Sequence, residues 1–159
     1  MLLLDGTLGA HVSLFLTRLQ EENILPCPII LYESWHTTHT GCNNHDHNHP
    51  EGIIYLRVSP EIAYARIKQY TPESEISITL DYIEQVYAEK EQLFIENKNS
   101  PKELEHLPVL VLNGNIDFQT DFAQYYNHIF YIKKFLQDIE KRKQIMLGTY
   151  KDIHHRRCC

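Results

Sequence analysis

Gly52-Ile53-Ile54-Tyr55-Leu56-Arg57-Val58-Ser59-Pro60-Glu61-Ile62-Ala63-Tyr64-Ala65-Arg66-Ile67 is the stretch on which the fold turns. From Ile53 to Val58 the chain is almost wholly apolar and rich in branched and aromatic side chains. That is the pattern of a strand buried on both faces. Ser59-Pro60-Glu61 follows with no spacer. Ser59 can cap a helix, and Pro60 suits the first helical position, where the amide it lacks would have had no partner. The spacing predicts a helix from Pro60 to about Gln69.

The same alternation recurs on either side of this stretch. Leu2-Leu3-Leu4 runs into Asp5-Gly6, a short buried strand entering a tight turn. Val12, Phe15, Leu16 and Leu19 then fall at helical spacing. Pro26 and Pro28 break the chain before a second strand, Ile29-Ile30-Leu31-Tyr32. Leu80, Ile83, Val86 or Tyr87, and Phe94 mark one face of a long helix, with Lys90 as a polar break in it. Val109-Leu110-Val111-Leu112 is a further buried strand. Phe122, Tyr125, Ile129, Ile132, Leu136 and Ile139 step by three and four, predicting a last helix to about Gln144. Buried strands alternating with amphipathic helices imply a parallel sheet covered on both faces. Ligands of such sheets bind beyond the C-terminal ends of the strands, here just after Leu4, Tyr32, Val58 and Leu112. One domain is expected over residues 1–147, with a His-rich loop at 36–50, a Pro72-containing loop at 70–77 and a polar tail at 148–159. No internal repeat is visible.

Composition bounds the function. The chain has 159 residues, 43% hydrophobic and 23% charged, which is globular and of single-domain length. With 15 Lys and Arg against 21 Asp and Glu, its formal charge is −6, which argues against a general nucleic-acid partner. No apolar run approaches the roughly 20 residues of a membrane span. Met1 to Leu4 lacks the basic and apolar regions of a secretory signal. A soluble cytoplasmic protein is expected, with mitochondrial residence also open. Of the cysteines Cys27, Cys42, Cys158 and Cys159, the last two are adjacent and close no useful loop, so reduced thiols are the simpler expectation.

The turn after the first strand reads Gly6-Thr7-Leu8-Gly9-Ala10-His11-Val12-Ser13. A phosphate-binding loop reads G-x-x-x-x-G-K-[ST] between a strand and a helix. Gly6 and Ser13 keep that frame, but His11 replaces the second glycine and Val12 replaces the lysine. Backbone amides at the helix start can still cradle an anion. The cation that neutralises the β- and γ-phosphates is absent. An ordinary strand–turn–helix stays open on these residues alone. Asp5-Gly6-Thr7-Leu8 also looks like the end of the haloacid-dehalogenase phosphatase motif. That chemistry needs an Asp at position 3, where Leu3 cannot form an acyl phosphate. His36, His39, His45, His47 and His49 surround Cys42, but their spacing matches no closed metal site, and no metal ligand is assigned.

The stretch from Gly52 to Phe118 resembles the deoxynucleoside kinases. That family carries a strand "IIYL", then "SPE", then a helix with "Y-x-R-I", as in Ile53–Leu56, Ser59–Glu61 and Tyr64–Ile67. The similarity continues through Ser74-Glu75, through Thr79-Leu80-Asp81-Tyr82-Ile83, and on to Val109–Asn113 and Asp117-Phe118. It covers about 70 residues in order, and the family's "E-G-N-I-G-x-G-K-S" shares the frame of Asp5–Ser13. The resemblance implies an α/β P-loop kinase-like three-layer sandwich with a reduced parallel sheet. It implies phosphoryl transfer from ATP, with Mg²⁺, to the 5′-hydroxyl of a deoxynucleoside.

By the same resemblance, Gly6, Gly9 and Ser13 bind nucleotide phosphates and Phe118 lies beside the donor adenine. Arg66 is the first lid arginine, reaching the transferring phosphates, and Glu75 binds the deoxyribose 3′-hydroxyl. Glu33 is the base on the 5′-hydroxyl. The departures weaken that chemistry. The other lid arginine positions hold Tyr70 and Pro72, no "E-R-S" motif is present, and only about eighteen residues separate Trp35 from Ile53, where the family has a long helical region. The expected activity is therefore weak or lost. A catalytically inactive nucleotide-binding or interaction protein is the alternative, and a truncated product without a function of its own is a third. Expected partners are a deoxynucleoside or nucleotide and a second copy or another chain, with neither nucleic acid nor membrane.

Overall fold

Ile53, Ile54, Tyr55 and Leu56 are each no more than 1% exposed, and the strand they form is central. In the computed structural model, which describes residues 1–7, 9–22, 27–32, 50–70, 77–118 and 120–156, this strand is β3 (Gly52–Arg57). It pairs in parallel with β1 (Leu2–Gly6) on one side and with β4 (Val109–Asn113) on the other. A short β2 (Ile29–Leu31) pairs in parallel with the outer edge of β1. The order β2-β1-β3-β4 is the parallel sheet expected from the strand pattern.

Among the described residues, α1 (Val12–Glu21) fills the crossover from β1 to β2, α2 (Pro60–Tyr70) and α3 (Leu80–Phe94) fill that from β3 to β4, and α4 (Phe122–Arg156) follows β4. Pro60 opens α2 as expected. Thr79 starts α3 by accepting the Tyr82 amide at 3.2 Å, and Asp121 starts α4 by accepting the Gln124 amide at 3.0 Å. These caps satisfy amides that the first helical turn leaves without partners.

Alternation along the strands sorts the core into two layers. Leu2, Leu4, Ile54, Leu56 and Leu112 face Phe15 and Leu19 of α1 and Tyr125, Ile129 and Ile132 of α4. Leu3, Ile53 and Tyr55 face the other way, onto Phe94 of α3 and Leu104. The three-layer sandwich follows.

His128 ties α4 to the end of β4: its ring nitrogens lie 2.7 Å from the Gln124 carbonyl oxygen and 2.9 Å from that of Asn113. The last helix differs from expectation. It continues past Gln144 to Arg156. Gly148 does not stop it, because a lone glycine costs a helix interior only about 1 kcal/mol and no proline follows. No helix among the described residues is long and apolar enough to cross a membrane.

Candidate functional site

The chain leaves β1 at Gly6 and turns through Thr7 to Ala10, whose amide donates to the Thr7 carbonyl at 2.9 Å. It enters α1 at Val12. Two of the described residues of the turn are left-handed, Gly9 at φ +76° and His11 at φ +54°. Glycine adopts that region freely, and a histidine there is strained. Gly9 is doubly constrained, since a Cβ on it would lie 2.5 Å from the Ala63 carbonyl oxygen. At Gly6 a Cβ would meet the Val12 Cγ2 at 2.7 Å. The turn is thus pressed onto α2 and onto the first turn of α1 by backbone and small side chains.

This turn forms one wall of a cleft of about 480 Å³. Gly6, Thr7, Gly9, Ala10, His11, Val12 and Ser13 line it from the turn, and Tyr32 from the end of β2. Val86 and Lys90 line it from α3. The N-terminal end of α1 therefore opens on the cleft, bringing its positive dipole end to it. Val12 occupies the place on that wall where a phosphate-binding loop carries lysine.

Of the residues expected from sequence, Gly6, Gly9 and Ser13 come together on this wall. Arg66 approaches the same turn from behind. Its guanidinium lies 3.4 Å from the Gly9 carbonyl oxygen and donates to the carbonyls of Gly114, Asn115 and Ile116 at 2.8, 3.0 and 2.9 Å. It thereby clamps the loop after β4 to the turn after β1. Phe118 sits in the core, 1% exposed, with its ring 4.8 Å from that of Phe15 and 5.8 Å from that of His128. That is outside the cleft wall, and its carbonyl accepts from the Arg18 guanidinium. Glu33 and Glu75, the proposed base and sugar ligand, lie outside the described residues, as does the His-rich segment around Cys42.

The sequence reading missed Asp5 and Lys90 as a pair. Lys90 Nζ lies 2.5 Å from Asp5 Oδ2, with the Asp5 side chain 5% and the Lys90 side chain 18% exposed. The other Asp5 oxygen accepts the Gly6 amide at 2.7 Å. The ammonium also lies 5.3 Å from the Tyr32 ring centre and 5.6 Å from that of Phe94. A signal was present in the sequence. A lysine on the apolar stripe of α3 must either snorkel out or find a buried anion.

Two titrating groups on the cleft are perturbed. Burial, and then the Arg66 guanidinium, hold the His11 imidazole below its ordinary value of 6.5, with Asp117 opposing. Burial, and then the Asp5 carboxylate, push the Tyr32 hydroxyl upward. Among the described residues, no group of three or more His, Cys, Asp or Glu side chains gathers as a metal cage.

The family profile for deoxynucleoside kinase matches residues 4–142. Deoxycytidine kinase 2 of Gallus gallus is 33% identical over 88 residues, 54% of this chain and 33% of that protein. A probable deoxycytidine kinase of Fowlpox virus (strain NVSL) is 34% identical over 71 residues, 45% of this chain and 29% of that one. The matched stretches thus span about a third or less of these relatives. Among solved structures, a deoxyadenosine kinase from M. mycoides with bound dCTP superposes with a TM-score of 0.59 at 15% identity. That match covers 84% of this chain and all of the other, and it shows a shared fold.

Proposed function

The chain belongs to the deoxynucleoside kinase family, and on that premise we propose that its cleft takes the phosphates of a nucleotide, with the inherited phosphoryl transfer from ATP to a deoxynucleoside 5′-hydroxyl running only weakly. The observation that carries the proposal is the turn from Asp5 to Ser13. It keeps a strand–turn–helix course with Gly9 and His11 left-handed and opens the α1 N-terminus on the cleft, yet it presents Val12 in place of a cation. Backbone amides and a helix dipole attract phosphate. Transfer itself depends on positioning and charge neutralisation.

Within this proposal Glu33 is the base on the 5′-hydroxyl and Glu75 the ligand of the 3′-hydroxyl. Arg66 reaches a transferring phosphate by exchanging carbonyl partners for phosphate oxygens. Ser13, exposed at the start of α1, fits a magnesium ion that arrives with the phosphates, since Mg²⁺ keeps waters and needs few protein ligands. Its chemistry there is neutralisation of phosphate charge. The second reading, an inactive nucleotide-binding protein, is favoured by the apolar Val12 side chain on the cleft wall. Either protein would work in the cytoplasm.

The test is a radiolabelled phosphate-transfer assay with all four deoxynucleosides, run beside a nucleotide-binding titration. Saturable ATP binding with turnover far below the roughly 1–100 s⁻¹ of ordinary kinases is expected. Turnover within that range, or no binding at all, overturns the proposal.

A further inference from the structure

We propose that Lys90 is the polyphosphate-binding cation of this cleft, supplied from α3 in place of the lysine that the turn lacks at position 12. This rests on the cleft's being a nucleotide site, and it names the side chain on which affinity there depends. Lys90 is the one Lys or Arg among the described residues that line the cleft, which it shares with Gly6, Gly9, Val12 and Ser13. Its ammonium is held in place rather than left to wander. Asp5 Oδ2 fixes it at 2.5 Å, and the rings of Tyr32 and Phe94 flank it.

An ammonium has three donors, and one contact to Asp5 leaves two for other oxygens. The remaining Asp5 oxygen is tied to the Gly6 amide, so the carboxylate is anchored to the turn itself. The ion pair therefore couples α3 to the turn and sets a positive group at the wall where a phosphate would lie. A second observation points to a polar ligand. The Thr7 hydroxyl, on the same wall and in a residue 3% exposed, is buried without a hydrogen-bond partner among the described residues. Buried polar atoms of that kind call for an explanation, and a bound ligand is one.

The geometry makes opposite demands on the two partners. Lys90 attracts a polyphosphate and Asp5 repels it. Removing the lysine must weaken binding, whereas neutralising the aspartate must strengthen it. If the pair were only a structural staple, both changes would act through stability and neither would tighten binding.

The experiment is calorimetric titration with inorganic tripolyphosphate, ATP and adenosine at two salt concentrations. It uses wild type, Asp5→Asn, Lys90→Met and the double variant. Lys90→Met leaves a buried carboxylate without its cation and can unfold the chain. The double variant removes both charges and keeps an Asn oxygen for the Gly6 amide. Loss of one charge-assisted contact should weaken tripolyphosphate and ATP about 10- to 100-fold in the double variant relative to Asp5→Asn, the two differing only at Lys90. Asp5→Asn alone should tighten both ligands, and adenosine should respond to neither change. A double variant that binds tripolyphosphate as Asp5→Asn does, or an Asp5→Asn protein that binds it more weakly than wild type, overturns the assignment of Lys90 while the nucleotide site stands. Wild type that binds neither ATP nor tripolyphosphate overturns both.

Discussion

Replacing Arg66 by alanine should cost about 2–4 kcal/mol of stability, because the guanidinium closes a clamp between two loops that no helix or strand joins. Three short bonds, 2.8, 3.0 and 2.9 Å, run to consecutive carbonyls from Gly114 to Ile116, and a longer 3.4 Å contact reaches Gly9. Bonds from a charged donor contribute about 1.5–3 kcal/mol each, which puts an upper bound near 9 kcal/mol on the three. Two effects reduce it. The Asn115 contact is exposed, so water replaces the lost donor there. Bonds that share one side chain are also not additive. Urea denaturation followed by tyrosine fluorescence reads the loss directly, with an unchanged m-value expected. Arg66→Lys should recover less than half, since an ammonium cannot span three carbonyls as the planar fork does. A loss below about 1 kcal/mol for Arg66→Ala would refute the clamp. A normal melt combined with weakened ATP binding would show that the side chain serves the ligand alone and closes no clamp.

Restoring the loop with His11→Gly and Val12→Lys should tighten ATP about 10-fold or more by calorimetry, since one charge-assisted contact is gained; no gain would mean that the turn accepts no phosphate. His11→Gly alone should change stability by no more than about 1 kcal/mol, because relief of the left-handed strain is offset by greater freedom in the unfolded chain. Acidification should destabilise the protein from pH 6.5 downward, because the folded His11 value lies below 6.5 and the unfolded chain therefore holds more protons there; thermal melts of wild type and His11→Gly between pH 7 and 5 should differ in slope, and parallel slopes would remove His11 as the cause. Phe122, Tyr126 and Phe130 are 55, 55 and 63% exposed along one face of α4, so the chain should self-associate. Tyr126→Glu with Phe130→Glu should return monomer in sedimentation, and a monomeric wild type would count against that face.

What the sequence determined by itself was local. A run such as Ile53–Val58 can only be a buried strand, Pro60 can only open a helix, and alternation of the two forces parallel pairing. The frame of Gly6, Gly9 and Ser13 was legible because a turn between strand and helix is written in eleven consecutive residues or fewer. The end of α4 was misread because a lone glycine costs a helix only about 1 kcal/mol and no proline follows to stop it. The chemistry of the cleft was decided by packing. Lys90 reads as a blemish on an apolar stripe until the fold sets it against Asp5, 85 residues away in sequence. Arg66 is legible as a helical arginine, but its carbonyl partners in the loop after β4 lie 48 to 50 residues on. Phe118 is legible as one aromatic among several, and only the fold sets its ring beside those of Phe15 and His128. Periodicity follows from the backbone of one segment and so survives in sequence. A charge's partner, or a ring's neighbours, depend on which segments the sheet brings together, and only the tertiary structure decides that.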